Sequence, residues 1–415
     1  MRDHGSQNQS DFYRVWCGQA ISNLGDGIQR IAVLWWARQA TGSNTVVVMV
    51  ALATVLPTVI AAPFAGWLAD RVSRRMLMLV SDAMRCTAGA SLAIAAASGR
   101  LTTGLVIGVA VVAALAASVF DPALQASITL LVDEDRRATA NSMFGVNRAV
   151  AGIVGPAVGG VLIGVAGTAA ALWVDAATFA FSFLLLGLSR IPMPVATNDD
   201  GNDGGLAAGF RVLQRDRAVR DLVVVAAGLN VSVAPVPILI VGLAAGPLHL
   251  GGTGFGILMA AVPAGLLAGF AVAPRLARVG RASLWALLLT GGAIAISGAA
   301  VWSLWAGSAF LLAGLGVGVA NTLIQTRFQS RVPAELQGRV FALVGACSIV
   351  GQPLGLLLTA PLVTGVGIRG GLAVCGVGLV MIALAGRRGM NLEESDEYST
   401  PSAATLAVPL LAERS

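Results

Sequence analysis

Apolar runs of about twenty residues or more recur twelve times along the chain, at roughly 12–38, 44–69, 76–98, 103–131, 139–165, 168–189, 219–247, 252–274, 282–303, 306–330, 338–364 and 367–386. A helix rising about 1.5 Å per residue needs about twenty such residues to cross hydrocarbon. The pattern therefore predicts an all-α integral membrane protein with 12 transmembrane helices. An even number of crossings returns the C-terminus to the side of the N-terminus. The polar intervals are short, with two exceptions. Between Arg190 and Asp221 stand Pro192, Pro194 and the run Asn198 to Gly205, which read as a flexible linker followed by a surface helix. After Met390 the chain is acidic, with Glu393, Glu394, Asp396 and Glu397, and reads as disordered. The expected organisation is an N-terminal tail over 1–11, a six-helix bundle over 12–190, a linker over 191–218, a second six-helix bundle over 219–388 and a tail over 389–415.

Composition agrees with the pattern. Of the 415 residues 56% are hydrophobic and 12% charged, far too apolar for soluble domains of this length. Every basic residue is an arginine, and the arginines alternate in abundance from one set of loops to the other. Arg71, Arg74, Arg75, Arg136, Arg137, Arg275 and Arg331 fall at one set of helix ends, whereas Arg38, Arg100 and Arg369 mark the opposite set. The positive-inside rule then puts both termini in the cytoplasm of a multi-pass cell-membrane protein. The formal charge of +6 is thus topology, and no nucleic-acid partner is expected. The start of the chain lacks the apolar run of a signal peptide, so no cleavage is expected. Cys17, Cys86, Cys347 and Cys375 stand singly in apolar runs, and His4 and His249 are the only histidines. No metal site, cofactor or enzymatic Ser-His set is expected from these residues, and a monomer is expected.

Between the second and third apolar runs lies Gly66-Trp-Leu-Ala-Asp70-Arg71-Val-Ser-Arg74-Arg75, with Met78 three places on. Its charges require a tight loop at the membrane surface. The stretch resembles the loop between helices 2 and 3 of the major facilitator superfamily, with Ser73 where that family usually has a second glycine. Gly66 allows close backbone approach, Asp70 can bond a helix start or an arginine, and Arg71, Arg74 and Arg75 are expected among lipid phosphates. The same residues can instead be simple positive-inside anchors. On the fifth span, Gly152-Ile-Val-Gly155-Pro156-Ala-Val-Gly159-Gly160 resembles the Gly-Pro-x-x-Gly-Gly motif of exporters in that superfamily, which implies efflux by antiport; ordinary small-residue packing is the other reading. The first span, from Phe12 to Ile28, resembles the branch that includes macrolide-efflux and enterobactin-export proteins. The resemblance implies two pseudo-symmetric six-helix bundles. An internal repeat agrees, since Gln125, Gly145 and Gly155 recur as Gln325, Gly345 and Gly355 at an offset of 200.

Charges inside spans are costly unless paired or wet, and so mark function. Asp26 and Arg30 lie one turn apart on the first span and are expected to neutralise each other, either with Asp26 as proton carrier or cation-binding group and Arg30 setting its pKa, or as a static ion pair that only fixes helix packing. Asp121 and Arg148, on spans four and five, either serve a proton path or form a bridge between neighbours. Asp175 is expected to be structural. Gln125, Asn230, Asn321 and Gln325 either line the cavity or bond a neighbouring helix, and Trp35 and Trp36 are expected as interface anchors. Exporters of this superfamily driven by protons often carry an arginine in helix 4, and here that span has none. The expected function is secondary active export of an amphipathic small molecule, an antibiotic or secreted metabolite, by proton antiport with alternating access. Siderophore export on the same fold, and a non-transporting scaffold or receptor, are the alternatives.

Overall fold

The computed structural model describes residues 3–133, 136–191, 217–276, 281–331 and 334–387, and every regular element among them is helical. The first half comprises α1 (Asp3–Thr41), α2 (Asn44–Arg71), α3 (Arg74–Ala97), α4 (Thr103–Leu131) and α5 (Arg137–Leu188). The second comprises α6 (Arg217–Val233), α7 (Val236–Ala245), α8 (Gly252–Leu276), α9 (Ala282–Ser297), α10 (Ser303–Arg331) and α11 (Ala334–Ala385). Eight helical stretches among the described residues are long and apolar enough to cross a membrane. Two of them, in α5 and α11, are bent and cross twice. Adding α1, whose span carries Gln19, Asn23, Asp26 and Arg30, and the shorter α9 completes twelve crossings in two six-helix bundles.

The bends sit at Gly167 (φ 82°, ψ 171°) and Gly367 (φ 72°, ψ 178°). Both occupy backbone space that a side chain disfavours, so glycine lets one helix turn back into the membrane without a loop. They stand at the 200-residue offset of the sequence repeat. The seventh crossing is shared by α6 and α7, which break at Ala234 and Pro235, where proline has no N–H to continue the ladder.

Two boundaries differ from the expected ones. Helix α1 begins at Asp3, and Asp11 is buried against Arg14 at 2.8 Å, so the segment expected as a tail is largely part of the first helix. Helix α2 runs on to Arg71 and α3 starts at Arg74, leaving two residues where a ten-residue loop was expected. The linker expected over 191–218 lies almost wholly, and the tail over 389–415 entirely, outside the described residues.

Let the near side be the end at which α1 begins and the far side the end at which it finishes. On the far side one apolar core crosses both halves and includes Trp35, Val47, Ile163, Leu239, Phe255 and Leu372. On the near side there are two cores. Phe12, Met78, Leu124 and Phe144 belong to the first half, and Val225, Leu287, Val319 and Leu379 to the second. Among the described residues the halves are therefore joined by apolar packing at the far end and have separate interiors at the near end.

Candidate functional site

Helix α1 presents two stripes. Gln19, Asn23, Asp26 and Arg30, at intervals of four, three and four, face a cavity of about 300 Å³. Gly25, Asp26 and Gln29 turn toward α3 and the second arm of α5. Asp26 lies where the stripes meet. The cavity is completed by Arg85 of α3, Ala117, Phe120 and Asp121 of α4, and Arg148, Ala151, Gly152 and Pro156 of α5. Among the described residues, all that line it belong to the first half.

One of the two expected ion pairs differs. Asp26 accepts a hydrogen bond from Arg85 Nη2, not from Arg30. Arg85 is held between α1 and the second arm of α5, its side chain only 11% exposed, with its guanidinium 4.1 Å from the centre of the Phe179 ring. A desolvated guanidinium has more to gain from a carboxylate than Arg30, which is exposed on the cavity wall. Among the described residues Arg30 makes no ion pair. Asp121 and Arg148 do pair across α4 and α5, at 3.0 Å, but with 63% and 55% of their side chains exposed. This pair stands in the open mouth of the cavity.

Asp175 is fully buried and accepts from Gln29 Nε2 at 2.6 Å. Glycines make its niche: a Cβ at Gly25 or at Gly89 would lie 3.0 Å from one or other carboxylate oxygen. Arg85, Asp82 and Gln29 went unnoticed in the sequence. The signal was present for Asp82 and Arg85, two charges three residues apart within the third apolar run. The remaining expected residues stand apart. Gln125, Asn321 and Gln325 are exposed and do not line the cavity. Asn230 bonds the Ala226 carbonyl of its own helix at 2.9 Å.

The glycines of α5 have contacts on two faces. A Cβ on Gly155 would lie 2.9 Å from the Gly27 Cα of α1, and one on Gly159 would lie 3.0 Å from Ile28 Cα. On the other face Gly160 meets Gly256 of α8, where a Cβ would lie 2.5 Å from the backbone, and Gly152 looks toward Pro263 at 3.7 Å. One helix thus packs closely against both halves, as small residues permit in lipid. Trp35, expected at the membrane interface, is instead buried and stacks on Phe255 of the second half, with ring centres 5.2 Å apart.

The arginines at the near end are also placed differently from expectation. Arg74 donates to the Ala126 carbonyl at 2.8 Å, and Arg75 Nη2 to the Gly187 carbonyl at 2.5 Å. Arg14 reaches the Leu188 carbonyl at 3.0 Å. Gly187 and Leu188 are in the last turn of α5, where carbonyls have no donor of their own and a cation also meets the negative end of the dipole, whereas Ala126 lies inside α4. Arg71 is exposed at the end of α2. The surroundings of Gly66 and the side chain of Asp70 lie outside what the structure describes.

A twelve-crossing, two-bundle molecule with a polar cavity among its helices is a multi-pass membrane transporter of the major facilitator fold. The family model described as transmembrane secretion effector matches residues 6–414, and the chain belongs to that family. Macrolide efflux protein A of Streptococcus pyogenes is 26% identical over 385 residues, covering 90% of this chain and 94% of the relative. Multidrug efflux pump Tap of Mycobacterium tuberculosis is 28% identical over 429 residues, covering 95% and 98%. Among solved structures, a bacterial homologue of the human lysosomal transporter Spinster, inward-facing and unoccupied, has a TM-score of 0.74 at 15% identity and covers 94% of this chain and 99% of its own. A bacterial homologue of the iron transporter ferroportin, inward-facing, has a TM-score of 0.72 at 16% identity, covering 91% and 98%. A small-molecule substrate and a place in the membrane follow from the family, which is one of transporters and not of enzymes.

Proposed function

We propose that the protein exports amphipathic small molecules, an antibiotic or a secreted metabolite, in exchange for protons by alternating access, with both termini in the cytoplasm. The observation that carries this function is Asp26 in the cavity wall, its charge held by an arginine that is itself buried. A carboxylate in that position binds or releases a proton when its hydration or its partner changes, and both change if the halves tilt. Separate near-side cores and a shared far-side core are what a cavity open on one face requires. The excess of arginine on the near side supports a cytoplasmic opening. Relatives named as macrolide and multidrug pumps support export, and a drug-like cargo over a siderophore.

Cells expressing the protein are expected to accumulate less of a macrolide than empty cells, and a protonophore is expected to abolish the difference. Asp26→Asn should lower that export at least about tenfold, the factor lost with about 1.4 kcal/mol of coupling, while the protein still purifies folded. Greater drug retention in expressing cells would overturn export. Wild-type pH dependence in Asp26→Asn would remove Asp26 from the proton's path.

A further inference from the structure

Behind the cavity wall, α3 and the second arm of α5 enclose two more carboxylates. Asp82 and Asp175 are both fully buried. Among the described residues Asp175 has one oxygen hydrogen-bonded to Gln29 and the other without a partner, while the Asp82 carboxylate has the buried Ser182 hydroxyl beside it without a well-aligned hydrogen bond. Arg85 lies within electrostatic reach of Asp26, Asp82 and Asp175 together. Among the described residues it serves only Asp26, and its Nε is likewise buried without a partner. Three carboxylates thus surround one guanidinium in a setting where an uncompensated charge is strongly unfavourable.

We propose that Arg85 is an exchangeable counter-ion, held by Asp26 in the arrangement described and transferred to Asp82 and Asp175 when a proton neutralises Asp26. Asp82 stands three residues back on the same helix, so its carboxylate shares a face with Arg85. Asp175, Phe179 and Ser182 form one stripe of α5 at intervals of four and three. The Phe179 ring under the guanidinium supports the cation without fixing which carboxylate it bonds. One proton passes from the medium to the Asp26 carboxylate, the guanidinium stays charged throughout, and no bond between heavy atoms changes. The titratable groups within electrostatic reach of Arg85 are Asp26 from α1, Asp82 from α3 and Asp175 from α5, and Cys86 of α3 is within reach of Asp82 and Asp175. From α4, Asp121 is turned to the cavity and bonded to Arg148. The proton's path is then a cluster and not a single residue, with Asp82 contributing from outside the cavity.

This inference rests on the proton-exchange function above, and its first test does not. In the purified full-length protein, Asp82→Asn should leave the melting temperature unchanged or raise it, because it relieves a buried carboxylate with which, among the described residues, no cation pairs. In an Asp26→Asn background, where Arg85 now depends on Asp82, the same substitution should lower it. Asp82→Glu in that background should not. An equal effect of Asp82→Asn in both backgrounds would overturn the exchange. In proteoliposomes, Asp82→Asn should cut uptake of a fluorescent amphipathic dye driven by a pH gradient at least about tenfold while leaving dye binding unchanged; full uptake would overturn the role of Asp82. A wild-type protein showing no gradient-driven uptake would instead count against proton antiport, leaving the melting result to be judged alone.

Discussion

At the scale of single residues, burial separates two ion pairs of the same composition. Asp26–Arg85 is 27% and 11% exposed, whereas Asp121–Arg148 is 63% and 55% exposed. Removing one partner of a buried pair strands the other, so Arg85→Ala should destabilise the detergent-solubilised protein by about 3–5 kcal/mol. Arg148→Ala should cost about 0–1 kcal/mol, since water already screens that pair. Thermal melts of the two variants side by side check the contrast, and equal losses would contradict it. The rule that singled out Asp26, Arg30, Asp121, Arg148 and Asp175, that charges in a span mean something, applies equally to Asp82 and Arg85. Their presence was legible; their partners were not. Spacing along one helix relates Asp26 only to Arg30, and the competing arginine arrives from a helix whose azimuth no single-helix pattern fixes.

At the scale of elements, glycine decides where helices bend and how closely they approach. Gly167 and Gly367 each join two crossings at positive φ, and a Cβ at either would meet nothing within 4 Å. The cost of a side chain there is therefore backbone strain alone. Gly167→Ala and Gly367→Ala should each lose roughly 1–3 kcal/mol, and by similar amounts because the bends are equivalent. A melt showing no loss in either would mean that the bend relaxes elsewhere. The crossings themselves were readable because length and apolarity suffice to define a membrane span. The reach of α2 to Arg71 was not, since charged residues can extend a helix into the surface region when their side chains find carbonyls. At the start of α3, Arg74 finds the Ala126 carbonyl within α4 and Arg75 the Gly187 carbonyl at the end of α5. A polar interval in the sequence marks where lipid ends, which is not where the helix ends.

At the scale of the whole molecule, the two halves share an interior on the far side only. Trp35 stacked on Phe255, and Gly160 against Gly256, close that side. Trp35→Ala removes a large buried ring, at a cost of about 3–5 kcal/mol to that interface, and should shift the population toward far-side opening. The reporter is Ala117→Cys in the cavity wall, after replacement of the native cysteines. An impermeant maleimide should label it from the cytoplasmic face in the parent and additionally from the outer face once Trp35 is removed. Unchanged labelling would exclude the stack as a far-side closure. Labelling of the parent only from outside would reverse the assigned orientation. The sequence by itself determined the twelve crossings and the residue types that hydrocarbon does not tolerate without a reason. These are properties of length, hydropathy and local spacing, which a chain carries wherever it folds. Only the tertiary structure decided that Arg85 displaces Arg30 as partner of Asp26, that Asp82 and Asp175 lie behind the cavity wall, and that Trp35 seals the far side. Each depends on which faces of separate helices meet, and that is settled by packing across the whole bundle.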